Sequence, residues 1–130
     1  MYLHHHIRSL PVPLTLHNTG TVASIATTLF VAAEKRLCSP NAIFMIHPVV
    51  VGTQTQSLSS APLVTALQAA LADEERTDAI LRDRTKIPPE VLDTRRKADI
   101  YITAKQALEY GLVHEIGDFS LPPGNQIFQI

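Results

Sequence analysis

Strand-like and helix-like stretches alternate along this chain, which predicts an α/β fold built on a mostly parallel sheet. Three observations carry that expectation. Ala42–His47 (AIFMIH) is a short, continuous apolar run closed off by Ser39-Pro40-Asn41 and Pro48, as an interior parallel strand is. The stretch from about Ala23 to Lys35 is apolar almost all round, as a buried helix is. The stretch 103–111 carries a capping box (Thr103, Gln106) and a terminal Gly111, the two ends of a helix.

In order, residues 1–9 read as a helix end stopped by Pro11 and Pro13. Val12, Leu14 and Leu16 then alternate with polar residues in a strand, and Asn18-Thr19-Gly20 turns the chain. After the buried helix and the apolar strand, residues 48–59 form a Gly/Thr/Gln/Ser loop without periodicity. The longest helix runs from about Pro62 to Lys86, apolar in its first half and charged in its second. Pro88-Pro89 opens a short helix, since proline is tolerated in a first turn. LVHEI reads as a last strand, and GDFSLPPGNQIFQI as turns followed by an edge or subunit-contact strand. A length of 130 residues corresponds to one domain, spanning 1–130.

Bulk properties narrow the function. Hydrophobic content of 45% and charged content of 18% fit a globular chain. A net charge of −1 and 5% aromatic residues give no footprint for nucleic acid or an anionic membrane. No apolar run reaches the roughly 18–20 residues of a membrane span. The start MYLHHHIRSL lacks the order of a signal peptide, so a cytoplasmic protein is expected. The lone Cys38 forms no internal disulfide and is read as packing. His4, His5 and His6 form a run without accompanying Cys or acidic ligands, so neither a metal nor another cofactor is expected.

Ser24, His47 and Asp99 are the candidate functional residues. Ser24 lies at a helix mouth after a strand and a tight turn, where exposed N–H groups favour developing negative charge. Its plain alternative is a helix N-cap. His47 closes an apolar strand, at the carboxyl end where sites of parallel sheets collect. Asp99 follows a basic stretch, and by itself reads as a surface charge. Together the three make a nucleophile, a general base and an orienting carboxylate, because a serine hydroxyl needs an imidazole to take its proton.

Their contexts add a resemblance. Gly20-Thr21-Val22-Ala23-Ser24-Ile25-Ala26 is similar to the G-x-A-A-S-M-G-A nucleophile segment of the proteolytic subunit of ATP-dependent Clp proteases. Ser39-Pro40-Asn41-Ala42-Ile43-Phe44-Met45-Ile46-His47-Pro48 resembles its L-P-N-x-x-I-M-I-H-Q-P. The run from Asp99 through Tyr110-Gly111-Leu112-Val113-His114 resembles its D-x-x-[ML]-[ST]-A-x-E-A-x-x-Y-G-L-[VI]-D. The resemblance implies a Clp protease/crotonase-like spiral, shortened at its N-terminus to the last two-thirds of the domain, with 62–86 as the protruding handle helix. It implies a serine endopeptidase acting through an acyl-enzyme. Ser24 would be nucleophile, His47 base, Asp99 orienting carboxylate, and the Ile25 N–H an oxyanion donor. It also implies peptide or unfolded-protein substrates, a homo-oligomeric ring or barrel, and a separate AAA+ unfoldase as the source of ATP dependence.

There are departures. Ile25 and Ala26 replace the family's Met and Gly, His114 replaces an Asp, and no Gln-Pro pair follows His47. No glycine precedes Gly20, so the family's Gly-Gly turn, which supplies the second oxyanion donor, has no counterpart. Two other readings stand beside catalysis: an inactive Clp-like scaffold without a complete oxyanion hole, and a crotonase-type acyl-CoA enzyme.

Overall fold

The structure is a computed structural model and describes residues 2–52, 59–121, 123 and 124. In chain order the elements are α1 (Tyr2–Ser9), β1 (Thr15–Asn18), β2 (Thr21–Ala23), α2 (Ile25–Phe30), β3 (Lys35–Cys38) and β4 (Ile43–Ile46). They continue with α3 (Ser60–Arg84), α4 (Pro89–Thr94), β5 (Ile100–Thr103), α5 (Ala104–Glu109) and β6 (Glu115–Ile116). The strands form two three-stranded sheets, ordered β1-β3-β6 and β2-β4-β5. Every pairing is parallel except β4 with β5, which is antiparallel. The expected α/β fold with a mostly parallel sheet is therefore present.

The turn between β1 and β2 joins the two sheets. Asn18, buried at its centre, donates from Nδ2 to the Ile43 carbonyl at 3.0 Å and accepts the Gly20 N–H at 3.0 Å. One side chain thus closes the turn and ties it to β4. Phe30 and Phe44 meet edge to face at 5.0 Å between ring centroids, and Ile46, Leu81, Leu92, Ile102 and Leu112 complete the core around them. Cys38 is fully buried there, and burial pushes its thiol pKa up, as a packing role implies.

Two expectations need correction. The single helix from Ala23 to Lys35 is a six-residue helix, α2, with strands on both sides. Thr21–Ala23 pairs with β4, and Lys35–Cys38 is paired on both edges, by β1 and by β6. Ladder hydrogen bonds made with distant residues outweigh the local apolar pattern. The expected strand LVHEI shrinks to Glu115–Ile116, because the N–H groups of Leu112 and Val113 both donate to Ala107 O at the end of α5. Ile100–Thr103, a strand not expected from the sequence, is β5, with buried Ile100 and Ile102 alternating with exposed neighbours. The predicted helix ends are correct: Thr103 and Gln106 form the reciprocal capping box, and Gly111 takes φ +64°. The expected tail strand at 125–130 and much of the 48–59 loop lie outside the described residues.

Arg36, only 4% exposed, holds the ends of three helices together. Its guanidinium donates to Val31 and Ala33 after α2, Arg84 at the end of α3, and Gly111 and Leu112 after α5. Helix C-termini leave carbonyls without intrahelical partners, and here one cation serves all three. Arg36→Met should lower unfolding stability by about 3 kcal/mol or more, since several charge-assisted bonds are lost and the carbonyls remain buried. Urea denaturation measures the loss, and Arg36→Lys should recover only part of it.

His4, on α1, is buried, and its Nδ1–H donates to the Thr28 carbonyl at 2.7 Å. Burial lowers its pKa below 6.5, with His5, Arg8 and Arg84 adding to the effect against the opposing Thr28 bond. The unfolded chain therefore binds this proton more readily than the folded one. The stability contribution is complete above about pH 6.5 and declines as pH falls through the lowered value. His4→Gln should flatten the fall in melting temperature as pH drops below about 6.5.

Candidate active site

The β2-β4-β5 sheet brings the three candidate residues to one end. In the parallel pair Ala23 lies against Met45, and Ser24 N–H donates to Met45 O at 2.8 Å, one step past the end of β2. In the antiparallel pair Ile46 lies against Ile100. One further step along each chain reaches His47 and Asp99, so the middle strand carries the imidazole and its two neighbours carry the hydroxyl and the carboxylate. Directly opposed residues of an antiparallel pair have Cα atoms about 4.5–5.5 Å apart.

Ser24 occupies the N-cap position of α2 but makes no capping hydrogen bond. Its hydroxyl is therefore not committed to the helix, contrary to the plain reading of this residue. Its backbone is held at φ +59°, ψ −132°, and it is the sole non-glycine residue with positive φ among the described residues. Such a conformation costs about 1–3 kcal/mol and persists where surrounding structure enforces it. The enforcement is visible: the strand ladder with β4 ends at Ala23, and α2 starts at Ile25. Ile25 is the first residue of α2, so its N–H has no intrahelical acceptor, and no other described residue accepts from it. Ile25 also lines the cavity that holds Ser24.

Ser24 and His47 line one cavity of about 360 Å³, floored by Ile46 and walled by Pro48, Val49 and the middle turns of α3 at Asp73, Arg76 and Thr77. The Nδ1 of His47 is hydrogen-bonded to the carbonyl of Pro48. A carbonyl only accepts, so Nδ1 carries a proton, and in the neutral ring the lone pair is then on Nε2. That is the tautomer a general base needs. Asp99 is exposed, does not line this cavity, and makes no hydrogen bond to His47 among the described contacts. The sheet thus brings Ser24 and His47 onto one wall and leaves Asp99 across the ladder from His47.

A feature that the charged pattern of the long helix did not reveal borders the cavity, which Arg95 helps to line. Asp78 of α3 is fully buried against Arg95, with Oδ1 at 3.2 Å from Nε, and Arg82 reaches its other oxygen at 3.7 Å. These are ion-pair contacts without hydrogen-bond alignment, and burial raises the Asp78 pKa against the pull of Arg95 and Arg82. The only sequence signal was the chemistry itself: two opposite charges that must neutralise each other when both are buried.

The family model described as Clp protease matches residues 1–119. The chain belongs to the Clp protease family. A relative from Rhizobium etli, named ATP-dependent Clp protease proteolytic subunit 3, is 28% identical over 116 residues. That alignment covers 88% of this chain and 58% of the relative. The protein of the same name from Rhizobium johnstonii gives the same identity and coverage. The chain thus spans less than two-thirds of the length of these Clp relatives. Its mixed α/β architecture, with parallel strands and covering helices, agrees with the Clp protease fold. No helix among the described residues is long and apolar enough to cross a membrane.

The strain at Ser24 generates a prediction that does not depend on catalysis. Ser24→Gly and Ser24→Ala both lose the hydroxyl, but only glycine accepts positive φ without steric cost. The glycine variant should be the more stable by about 1 kcal/mol in urea denaturation. Equal stability would mean that the backbone at this position is not held as described.

Proposed function

We propose that this chain acts as a serine peptidase of the Clp type, with Ser24 as nucleophile, His47 as general base and Asp99 as the group that orients and stabilises the imidazolium. The convergence of the three at one end of the β2-β4-β5 sheet supports this most directly. The uncapped Ser24 hydroxyl and the free Nε2 of His47 support it further.

In that reading Ser24 Oγ attacks the scissile carbonyl carbon while its proton passes to His47 Nε2. The tetrahedral oxyanion accepts the Ile25 N–H. Collapse breaks the C–N bond, and the amine leaves with the proton from Nε2, forming an ester on Ser24. Water then gives its proton to Nε2 and attacks the ester, releasing the carboxylic acid and restoring Ser24. Asp99 stabilises the cationic imidazole in both halves once the ring leaves the Pro48 carbonyl.

Peptides and unfolded protein segments are the proposed substrates. The first half of α3 exposes Leu63, Val64, Leu67 and Leu71, an apolar stripe suited to assembly into a ring or barrel. Energy-dependent unfolding would come from a separate AAA+ partner, in the cytoplasm. A second reading, a Clp-like scaffold without catalysis, is favoured by one observation: His47 Nδ1 is bonded to Pro48 rather than to Asp99.

Fluorophosphonate labelling of the purified chain, mapped by peptide mass, separates the two. Labelling confined to Ser24, abolished in Ser24→Ala and slowed about 10²-fold or more in His47→Ala, is the expected result. An unlabelled but folded chain would overturn the peptidase reading in favour of the scaffold.

A further inference from the structure

Between the end of β4 at Ile46 and the residues beyond Gly52, the chain carries His47 without sheet support. No backbone–backbone hydrogen bond holds residues 47–52 to another described residue, and Val50 is 81% exposed. A base so placed needs an external restraint, because an imidazole swings with the segment that bears it.

One side chain supplies such a restraint. Glu74 lies on α3 and is only 6% exposed, and its Oε1 accepts the Val49 N–H at 3.1 Å, two residues beyond His47. A buried carboxylate is costly unless donors meet it, so this bond is a directed one. Glu74 is itself braced: its backbone carbonyl accepts from Arg95 Nη2 at 2.7 Å, and Arg95 pairs with the buried Asp78 one helical turn further along α3. The anchor is therefore rigid helix held to the start of the segment leading to Asp99.

We propose that Glu74 is a positioning residue for His47. It clamps the Val49 amide so that the imidazole stays on the cavity wall beside Ser24. Its consequence for catalysis rests on the peptidase reading of Ser24 and His47; the clamp itself does not. Glu74 does not line the cavity and makes no hydrogen bond to Ser24 or the ring among the described residues, so removing it should slow the chemical step and leave binding of a reagent in the cavity little changed. A misplacement of about 1 Å at a catalytic group typically costs on the order of 10²-fold.

The test uses the whole chain, with Glu74→Met to keep volume and helix preference, Glu74→Gln to keep an acceptor oxygen, and the unsubstituted protein. Hydrogen exchange at the Val49 amide and the ring resonances of His47 report the clamp directly. The maximal rate and the half-saturating concentration of fluorophosphonate labelling report its effect on Ser24. The expected result is a protected Val49 amide in the unsubstituted chain. Glu74→Met should release it, displace the His47 resonances and lower the maximal labelling rate about 10- to 100-fold at similar half-saturation. Glu74→Gln should recover most of that rate. A Val49 amide that exchanges like a free one in the unsubstituted protein overturns the clamp, whether or not Glu74→Met folds. Released Val49 with unmoved His47 resonances and unchanged labelling rate overturns the positioning role. An unlabelled Ser24 in the unsubstituted chain counts against the peptidase reading instead, and the exchange and resonance measurements then decide the clamp alone.

Discussion

A single buried cation sets how the helices of this protein stand relative to its sheets. Arg36 sits on β3, the middle strand of its sheet, and reaches the carbonyl ends that follow α2, α3 and α5. No carboxylate among the described residues pairs with it; its charge is balanced by peptide dipoles. Arg84, at the end of α3, reinforces the arrangement by donating to the same Val31 and Ala33 carbonyls. The neighbouring positive charge and burial both lower the Arg36 pKa, burial being the larger cause. Two guanidiniums side by side are tolerable because every oxygen around them carries partial negative charge. The cluster holds the last residue of α3 against the carbonyl ends that follow α2 and α5, and α3 in turn supplies a wall of the cavity that faces Ser24 and His47.

The cavity has two kinds of wall, with different physical origins. One is the end of a sheet, where ladder geometry determines which side chains are neighbours. The other is a helix surface, held by buried ions at Asp78 and Arg95. A buried ion pair is weak evidence of stability, since dehydrating two charges offsets much of their attraction. Its worth here is directional: an apolar replacement would fill the space but would not fix which turn of α3 meets α4.

Much of this was legible in the residues. The strand Ile43–Ile46, the long helix, the capping box at Thr103 and the glycine at 111 all rest on short-range signals, and all are present. What escaped were strands whose identity comes from a distant partner. Lys35-Arg36-Leu37-Cys38 has no alternation to mark it, yet β1 and β6 pair with it from positions about 20 and 80 residues away. The candidate site shows the same division. Ser24 was recognisable by its turn and helix mouth, but its positive φ and unused capping hydroxyl are properties of the fold. His47 was visible as a strand end, whereas the bond from its ring to Pro48 was not. Asp99 was placed by motif alone, and only the antiparallel register explains why it lies opposite His47.

That register has a consequence for what this protein can tolerate. Along β4 the side chains alternate, with Phe44 and Ile46 buried, and β5 answers with buried Ile100 and Ile102. Sliding one strand by a single residue would turn those apolar groups to water and, in the same movement, part Asp99 from His47. Core packing therefore acts as a proofreader for which residues stand opposite one another at the strand ends. An insertion or deletion within either strand would be opposed by the hydrophobic interior itself. Evolutionary change in length should accordingly collect outside Ile43–His47 and Asp99–Thr103, where the oil of the interior imposes no register.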